Sequence, residues 1–394
     1  MCFTSSAGQT YFIGIFGPEI RSEFELSHTE WGLFYMTGTL LSALVLPFSG
    51  QLVDRINLRT FVCFVMGGLF IACLMISNVT NVWFLVPAIF LLRQFGQGLT
   101  SHVSITSMAR YMGTHRGKAI AFSSMGYSIG EATLPVLAVM LIMTIGWRTT
   151  YLLTAVGVLA LAPLILLCLK DHPKRHETFL QKTRENDLKN GSAIISKTRS
   201  QILKEKRFYL LLPAVLAPSF IGTALFFHHL TLAETKGWSA SWVTGSYWIY
   251  ALMTVVTSLF AGPIIDRYSA ARVIPYYLVP IVLAMLLLWT AEHPVWVVPY
   301  MILIGLNTGI YFTAISALWA ELYGPTHLGS IKSMVGAFGV FASALGPVSI
   351  GALLDFGYSY ESACLGMALL CIISTVFLHR GLKQYATMQL KKLQ

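Results

Sequence analysis

The chain has 394 residues, of which 55% are hydrophobic and only 11% are charged. Apolar runs of about 20 residues recur along its whole length, and a helix of that length crosses the hydrocarbon core of a bilayer. A soluble protein is therefore excluded. The formal net charge of +10 is not a sign of nucleic-acid binding, because the basic residues lie in alternate loops.

The first apolar run has neither a basic leader nor an A-x-A cleavage site, so we expect a membrane span rather than a cleaved signal peptide. The pattern predicts an all-α membrane protein with twelve transmembrane helices in two repeated six-helix bundles. Hydropathy and charge divide the chain into an N-terminal bundle at 1–169, a basic cytoplasmic linker at 170–207, a C-terminal bundle at 208–380 and a basic tail at 381–394.

A charged hairpin follows the second run, at Gly50 to Arg59, and its G-x-x-x-D-R pattern returns at Gly262 to Arg267. The two aspartates, Asp54 and Asp266, are 212 positions apart. The same offset superposes two further landmarks, Tyr111 on Tyr323 and Pro135 on Pro347. An offset shared by separate landmarks indicates a duplicated half.

The offset also places the counterpart of Phe208 before Met1. Either the first helix is about one turn short, or the natural start of the chain lies upstream.

The basic residues set the expected topology. If the hairpins face the cytoplasm, all but four of the 27 Lys and Arg residues lie on that side. The exceptions are Arg21, Arg148 and Lys236 on the opposite side and Arg93 inside the membrane. Both termini are therefore expected in the cytoplasm.

Arg93 is the most informative residue of the fourth span. It lies about 11 residues, or roughly 16 Å, from the start of a helix that crosses a core about 30 Å thick. An arginine at that depth costs on the order of 3 kcal/mol, so it should face protein or water and have a partner. Gln97, Thr100 and Ser104 follow on the same helix face and are candidate substrate contacts.

Glu131 lies at a similar depth on the fifth span, about 18 Å from Lys118. Two interpretations compete. In the structural one, Arg93 and Glu131 neutralise each other between helices. In the functional one, which we favour, Arg93 receives an anionic group of the substrate while Glu131 takes and releases a proton. A pair that breaks when substrate or proton arrives would combine both.

Other candidate substrate contacts lie on the first and tenth spans. Gln9 shares a stripe of the first span with two phenylalanines, a pattern equally typical of helix packing. In the tenth span, helical phase selects Asn307 and Tyr311, whereas the 212 offset selects Phe312 as the counterpart of Thr100. His228 is expected on the solvent side.

The hairpin motif and the two repeated halves with a long basic middle loop resemble the major facilitator superfamily across essentially the whole chain. Gly50, Leu52, Asp54 and Arg55 match its hairpin motif G-x-L-x-D-R-x-G, with Asn57 in place of the second glycine. The stretch from Arg93 to Gly98 is similar to its R-x-x-Q-G motif, with the Gln-Gly pair one residue late.

A weaker likeness points to one branch of that family. Arg116-Gly117-Lys118-Ala119, leading into Gly126 and Gly130, is similar to the monocarboxylate and oxalate/formate-type branch. That branch often has an arginine in the eighth span, but residues 241 to 265 contain none.

The superfamily resemblance implies a cytoplasmic gate, in which the hairpin charges latch the two halves together. The residues implied are Asp54, Arg55, Arg59, Arg110, Asp266, Arg267 and Arg272. Asp54 with Arg59 and Arg110 is expected to stabilise the outward-open state, and Asp266 is expected to do so in mirror fashion.

The expected function is therefore secondary active transport of a small organic solute, an organic anion such as a carboxylate, driven by a proton or ion gradient without a cofactor. The alternative is a proton-antiport exporter of amphipathic or cationic compounds, in which Glu131 would be the counter-ion of the substrate.

An enzyme is not expected, because no zinc-protease HExxH, nucleophile elbow or paired-aspartate motif is present. The expected partners are the small-molecule substrate and the bilayer, without nucleic acid. A monomer in a bacterial inner membrane is the expected state.

Overall fold

The computed structural model describes residues 1–50, 52, 57–111, 116–169, 199–323 and 328–393. The chain divides into two compact units, Met1–Ser192 and Ala193–Gln394. The described residues are almost entirely helical. In lipid this is expected, because a helix satisfies its own backbone hydrogen bonds where water is absent.

The first unit contains six helical segments, numbered in chain order. They are α1 in four pieces (Thr4–Gly8, Thr10–Ile13, Gly14–Phe16, Gly17–Phe24), α2 (His28–Gly50), α3 (Leu58–Ser77), α4 in four pieces (Val82–Phe84, Leu85–Leu91, Leu92–Thr100, Ser101–Tyr111), α5 (Arg116–Ile145) and α6 (Trp147–Cys168).

The second unit begins with a short helix, Arg199–Leu203, and contains six further segments. They are α7 (Lys206–Phe227 and His229–Thr235), α8 (Ala240–Gly245 and Tyr247–Tyr268), α9 (Ala270–Val273, Ile274–Tyr276 and Val279–Thr290), α10 (Pro294–Trp296 and Val297–Tyr323), α11 (Leu328–Asp355) and α12 (Tyr360–Leu393).

The helix bounds repeat with the spacing predicted from the hairpins. The starts of α2, α3, α4 and α5 lie 212 positions before the starts of α8, α9, α10 and α11. The end of α4 at Tyr111 likewise lies 212 positions before the end of α10 at Tyr323. The two halves therefore place equivalent helices at equivalent positions in the chain, as the duplicated motif predicted.

Within the described part of the chain, eleven helices are long and apolar enough to cross a bilayer. The first apolar run, which was predicted to be a membrane span, is not among them. It is interrupted at Gln9, whose backbone is extended (φ −85°, ψ 151°), and restarts at Gly17-Pro18. Proline has no N–H to continue the preceding turn, so a helix restarts there more readily than it continues. With this broken segment the order is six plus six.

Candidate functional site

Arg93 lies in the interior of the first unit, with only 2% of its surface exposed. Its Nη1 donates to the carbonyl oxygen of Gly8 at 3.1 Å and to Thr10 Oγ1 at 3.3 Å. Its guanidinium lies over the ring of Tyr35, 5.2 Å from the centroid. The Tyr35 hydroxyl and Thr10 Oγ1 are 2.5 Å apart, so α1, α2 and α4 meet in one polar cluster.

The break in α1 supplies one of these acceptors. Because Gln9 is extended, the amides of Phe12 and Ile13 both donate to the carbonyl of Gln9. The carbonyl of Gly8 receives the Arg93 guanidinium instead. A buried backbone carbonyl needs a partner, so the interrupted helix and the buried cation satisfy each other.

The backbones of α1 and α4 touch at this point. A Cβ added to Gly8 would lie 2.0 Å from the carbonyl oxygen of Leu92, and one added to Gly96 would lie 2.7 Å from the Gly8 Cα. Only glycine fits at either position.

Residues Leu92–Thr100 of α4 form a π-helix here. Such turns are rare and often lie at functional sites.

One donor of Arg93 stays unused. Its Nε is buried and has no hydrogen-bond partner in the part of the chain that the structure describes. An unpaired buried donor of a charged group is costly, since the group gives up water without compensation. The guanidinium therefore retains the capacity to bind an acceptor at Nε.

The polar face predicted around Arg93 is mostly committed to helix contacts. Thr100 Oγ1 donates to the carbonyl of Phe95 at 2.5 Å. Ser104 Oγ lies 2.7 Å from Ser123 Oγ and so connects α4 to α5. Gln97 is half-buried and makes no hydrogen bond to any described residue, which leaves its amide available.

Gln94 also belongs to this region, although the sequence pattern did not predict it. This side chain is buried, donates from Nε2 to Ser49 Oγ at 2.6 Å and accepts from Ser42 Oγ at 3.0 Å. It joins α4 to the last turns of α2, directly before the hairpin. The helical pattern selected residues on the face of Arg93, and Gln94 is on a different face. Its role is seen only in its contacts with another helix.

Glu131 is buried in α5, with 4% of its surface exposed. Among the described residues, no hydrogen bond or ion pair reaches its carboxylate. The structural interpretation, in which Arg93 and Glu131 neutralise each other, is therefore wrong for this structure. Each charge sits in its own environment, because α1 comes between α4 and α5: Gly8 packs on Gly96, and Ser6 packs on Gly130.

The remaining predicted wall residues have different surroundings. Gln9 is buried, with Nε2 3.5 Å from Ser5 Oγ. In the second unit, buried Asn307 donates to the carbonyl of Tyr277 at 2.6 Å, which makes it a link between α10 and α9. Tyr311 stacks on Tyr277 with ring centroids 6.3 Å apart. Phe312 is 64% exposed, so of the three α10 candidates it alone is open.

The predicted gate residues are described only in part. Asp54 and Arg55 lie outside the described residues, and the side chains of Arg110 and Asp266 are not described either. The other three members are exposed: Arg59, Arg267 and Arg272.

A carboxylate of α10 caps the helix that follows the second hairpin. Glu321 of α10 accepts from the amides of Ala270 and Ala271, at 2.7 and 3.1 Å. These are the first amides of α9, where the dipole of the helix favours a negative charge. Glu321 therefore ties the end of α10 to the start of α9.

A histidine cluster in the second unit was not foreseen. His229 is buried, with Nδ1 2.8 Å from the Tyr247 hydroxyl and Nε2 2.6 Å from the Tyr300 hydroxyl. The prediction that His228 faces solvent is wrong, because it is buried and its Nε2 lies 2.9 Å from the carbonyl oxygen of Pro347. A paired His-His in an apolar run was the available signal, since buried polar groups need partners.

Comparison with known proteins agrees with this architecture. A human protein, monocarboxylate transporter 6, is 31% identical over 145 residues, which cover 36% of this chain and 28% of the human one. Two solved structures share the fold at 13% identity and a TM-score of 0.74. A bacterial homolog of the human lysosomal transporter Spinster, inward-facing and unoccupied, matches over 98% of this chain and 96% of its own. A mutant form of the nucleoside transporter NupG matches over 96% and 97%.

A family model covers nearly the whole chain, and its description settles the class of protein. It matches residues 1–258 and 240–386, which together cover all but the last eight residues of the chain. The chain belongs to the major facilitator superfamily.

Proposed function

We propose that this protein is a secondary active transporter that moves a small organic anion, a carboxylate, together with a proton by alternating access. The observation that carries the proposal is Arg93, a buried cation with no carboxylate partner among the described residues and with an unused Nε donor. A planar guanidinium with a free edge suits a carboxylate, which accepts two parallel hydrogen bonds.

The contacts of Arg93 support a way for the site to open. Its Nη1 bonds are to a backbone carbonyl and a hydroxyl, and neither acceptor is charged. A substrate carboxylate makes stronger, charge-assisted bonds, so it can compete for the guanidinium. The Gly8 carbonyl lies at the break of α1, where the chain is not held by a continuous ladder of helical bonds. Movement of this segment would expose Arg93.

Glu131 is the proposed proton carrier. A carboxylate buried without a cation is most stable when it is protonated, because burial penalises the charged form. It would take a proton when its surroundings are hydrated and release it when the opposite side opens. The same isolation suits the alternative, an exporter in which a cationic substrate pairs with Glu131. We favour the anion because Arg93 then has a function as well.

Several further features belong to the proposal. The hairpin residues Asp54 and Asp266 act as latches of a cytoplasmic gate. Both termini and the linker at 170–207 lie in the cytoplasm, the protein works as a monomer, and the membrane is a bacterial inner membrane. Support for the carboxylate also comes from the human relative, which is by name a monocarboxylate transporter.

Replacing Glu131 by glutamine tests the proton coupling. The amide cannot exchange a proton, so we expect proteoliposomes with Glu131→Gln to lose accumulation of carboxylate driven by a pH gradient. Exchange of labelled for unlabelled carboxylate across the membrane should continue, because it requires no net proton movement. Both rates are measured by filtration with radiolabelled substrate.

The matched control is Glu30→Gln, which alters an exposed carboxylate whose capping contact to Ser27 glutamine can retain. It should behave like the wild type. Gradient-driven accumulation that survives in Glu131→Gln would refute the role of Glu131 as proton carrier.

A further inference from the structure

Each unit ties its first helix to its last at the end opposite the charged hairpin, called here the distal end. In the first unit, Arg148 at the start of α6 pairs with Glu23 near the end of α1, with Nη2 and Oε1 2.5 Å apart. The indole of Trp147 donates to the other carboxylate oxygen at 2.8 Å. In the second unit, Lys236 just after α7 pairs with Glu361 at the start of α12, at 2.6 Å.

The two ion pairs occupy equivalent positions with reversed charge. Glu23 lies 213 positions before Lys236, and Arg148 lies 213 positions before Glu361. This spacing differs by one residue from the 212 of the hairpins. The acid is on the first helix in one unit and on the last helix in the other.

A third helix enters each contact at an equivalent backbone atom. In the first unit, Arg148 also donates to the carbonyls of Ser77 and Val79, at 3.1 and 2.5 Å, where α3 ends. In the second unit, the carbonyl of Glu292, 213 positions after Val79, accepts from the indole nitrogen of Trp238 at 2.9 Å. The same carbonyl is thus capped in both units by side chains of different chemistry.

We propose that these two distal junctions are equivalent working parts, each holding the distal ends of the first, third and last helices of its unit together as one body during transport. Arg148 and Lys236 are their positioning residues. Both units join the distal ends of the same three helices, although the side chains at equivalent positions differ. The joining of these helices is therefore what the two units have in common, whereas the sign of the charge at each position is not. The proposal rests on the rocking of two bundles contained in the proposed function, but not on the identity of the solute.

The first unit needs such an anchor most. Its α1 is broken into short pieces, and helices that short are not stable by themselves. Charge-assisted hydrogen bonds at the distal end hold the last piece, Gly17–Phe24, to α6 and to the end of α3. In the second unit α7 continues to Thr235, and the pair of Lys236 with Glu361 fixes its end in the same way.

The test measures distances within each unit, without any solute. Nitroxide labels replace exposed residues near the helix ends that each contact joins. In the first unit they are Ser22 and Thr80, since Arg148 reaches both α1 and the end of α3, and in the second unit they are Thr235 and Tyr358, since Lys236 and Glu361 join α7 to α12. The exposed cysteines, Cys63 and Cys168, are first changed to serine. We expect Arg148→Gln and Lys236→Gln to broaden the distance distribution in their own unit and leave the other unit unchanged. Each should also lower the melting temperature of the purified protein.

Charge exchange separates a positioning contact from a general loss of stability. Lys236→Glu combined with Glu361→Lys should restore the narrow distribution fully, because the bond to the carbonyl comes separately from Trp238. Glu23→Lys combined with Arg148→Glu should restore it only in part, because a glutamate at position 148 cannot donate to the carbonyls of Ser77 and Val79.

Distance distributions that stay narrow in both Arg148→Gln and Lys236→Gln would overturn the proposal. A distribution in the Lys236→Glu/Glu361→Lys double variant as broad as in either single variant would also overturn it. Neither result depends on carboxylate transport, so a failure here is distinct from a failure of the proposed function.

Discussion

Arg93→Ala is expected to lower the rate of carboxylate uptake in proteoliposomes at least about tenfold at subsaturating substrate. A hydrogen bond to a charged group is worth about 1.5–3 kcal/mol, and 1.4 kcal/mol corresponds to a factor of ten. The substitution removes the buried cation together with its unused Nε donor. No other buried Lys or Arg side chain is found among the described residues of the first unit.

Arg93→Lys refines this prediction. It keeps the charge but loses the planar fork, so uptake should fall less than in Arg93→Ala and remain well below the wild type. Thr10→Val preserves shape but removes an acceptor of Nη1 and the partner of the Tyr35 hydroxyl. Because the buried cation stays in place, uptake should fall less than in Arg93→Ala. Melting temperatures of the purified variants control for folding. Uptake by Arg93→Ala at nearly the wild-type rate would remove Arg93 from the site.

The close approach of α1 and α4 leads to the second large prediction. Gly8→Ala and Gly96→Ala each place a methyl group against backbone atoms, which cannot rotate away as a side chain can. Overpacking of this kind costs typically about 1–3 kcal/mol and sometimes more. We expect both variants to lower the melting temperature by several degrees and to reduce uptake, because the carbonyl of Gly8 holds Arg93.

Gly67→Ala and Gly157→Ala are the matched controls for the glycine variants. Both glycines lie inside helices, and a Cβ added to either meets nothing within 4 Å. Alanine favours a helix over glycine by roughly 0.5–1 kcal/mol, so these variants should be as stable as the wild type or slightly more stable. If Gly8→Ala were as stable as Gly67→Ala, α1 and α4 would not be in backbone contact.

Hydropathy and charge were sufficient to predict the fold because a bilayer permits few solutions. Every backbone group inside lipid must be paired within the helix, so long apolar runs are helices, and their loops carry the topological charges. The repeat was visible for the same reason: Asp54 and Asp266 mark equivalent loops, and the helix starts follow the same 212 spacing.

The broken α1 could not be predicted from hydropathy, which averages over a window and is blind to a single extended residue. Gln9 is extended because Gly8 packs on Gly96 and the carbonyl of Gly8 turns to Arg93. Both contacts lie more than 80 positions away in the chain. The depth of Arg93 was predictable, but its partners were not.

The helical face around Arg93 was predicted with ideal α-helical phase, which this part of α4 does not have. From Leu92 to Thr100 the helix has π geometry, in which each residue turns the chain by less than 100°. Over seven residues the difference accumulates, and the hydroxyl of Thr100 meets the carbonyl of Phe95. Asn307 was likewise chosen by phase, whereas its amide binds the backbone of α9.

The measurement that tests the central claim most directly is uptake by the wild-type protein in proteoliposomes with an imposed pH gradient, acidic outside. A panel of small radiolabelled carboxylates is compared with amines of the same carbon skeletons, with and without a protonophore. We predict that at least one carboxylate accumulates above its external concentration, that the protonophore abolishes this accumulation, and that the matched amine is not taken up with the gradient. Amine movement opposite to the proton gradient without carboxylate accumulation would contradict the account and favour the exporter.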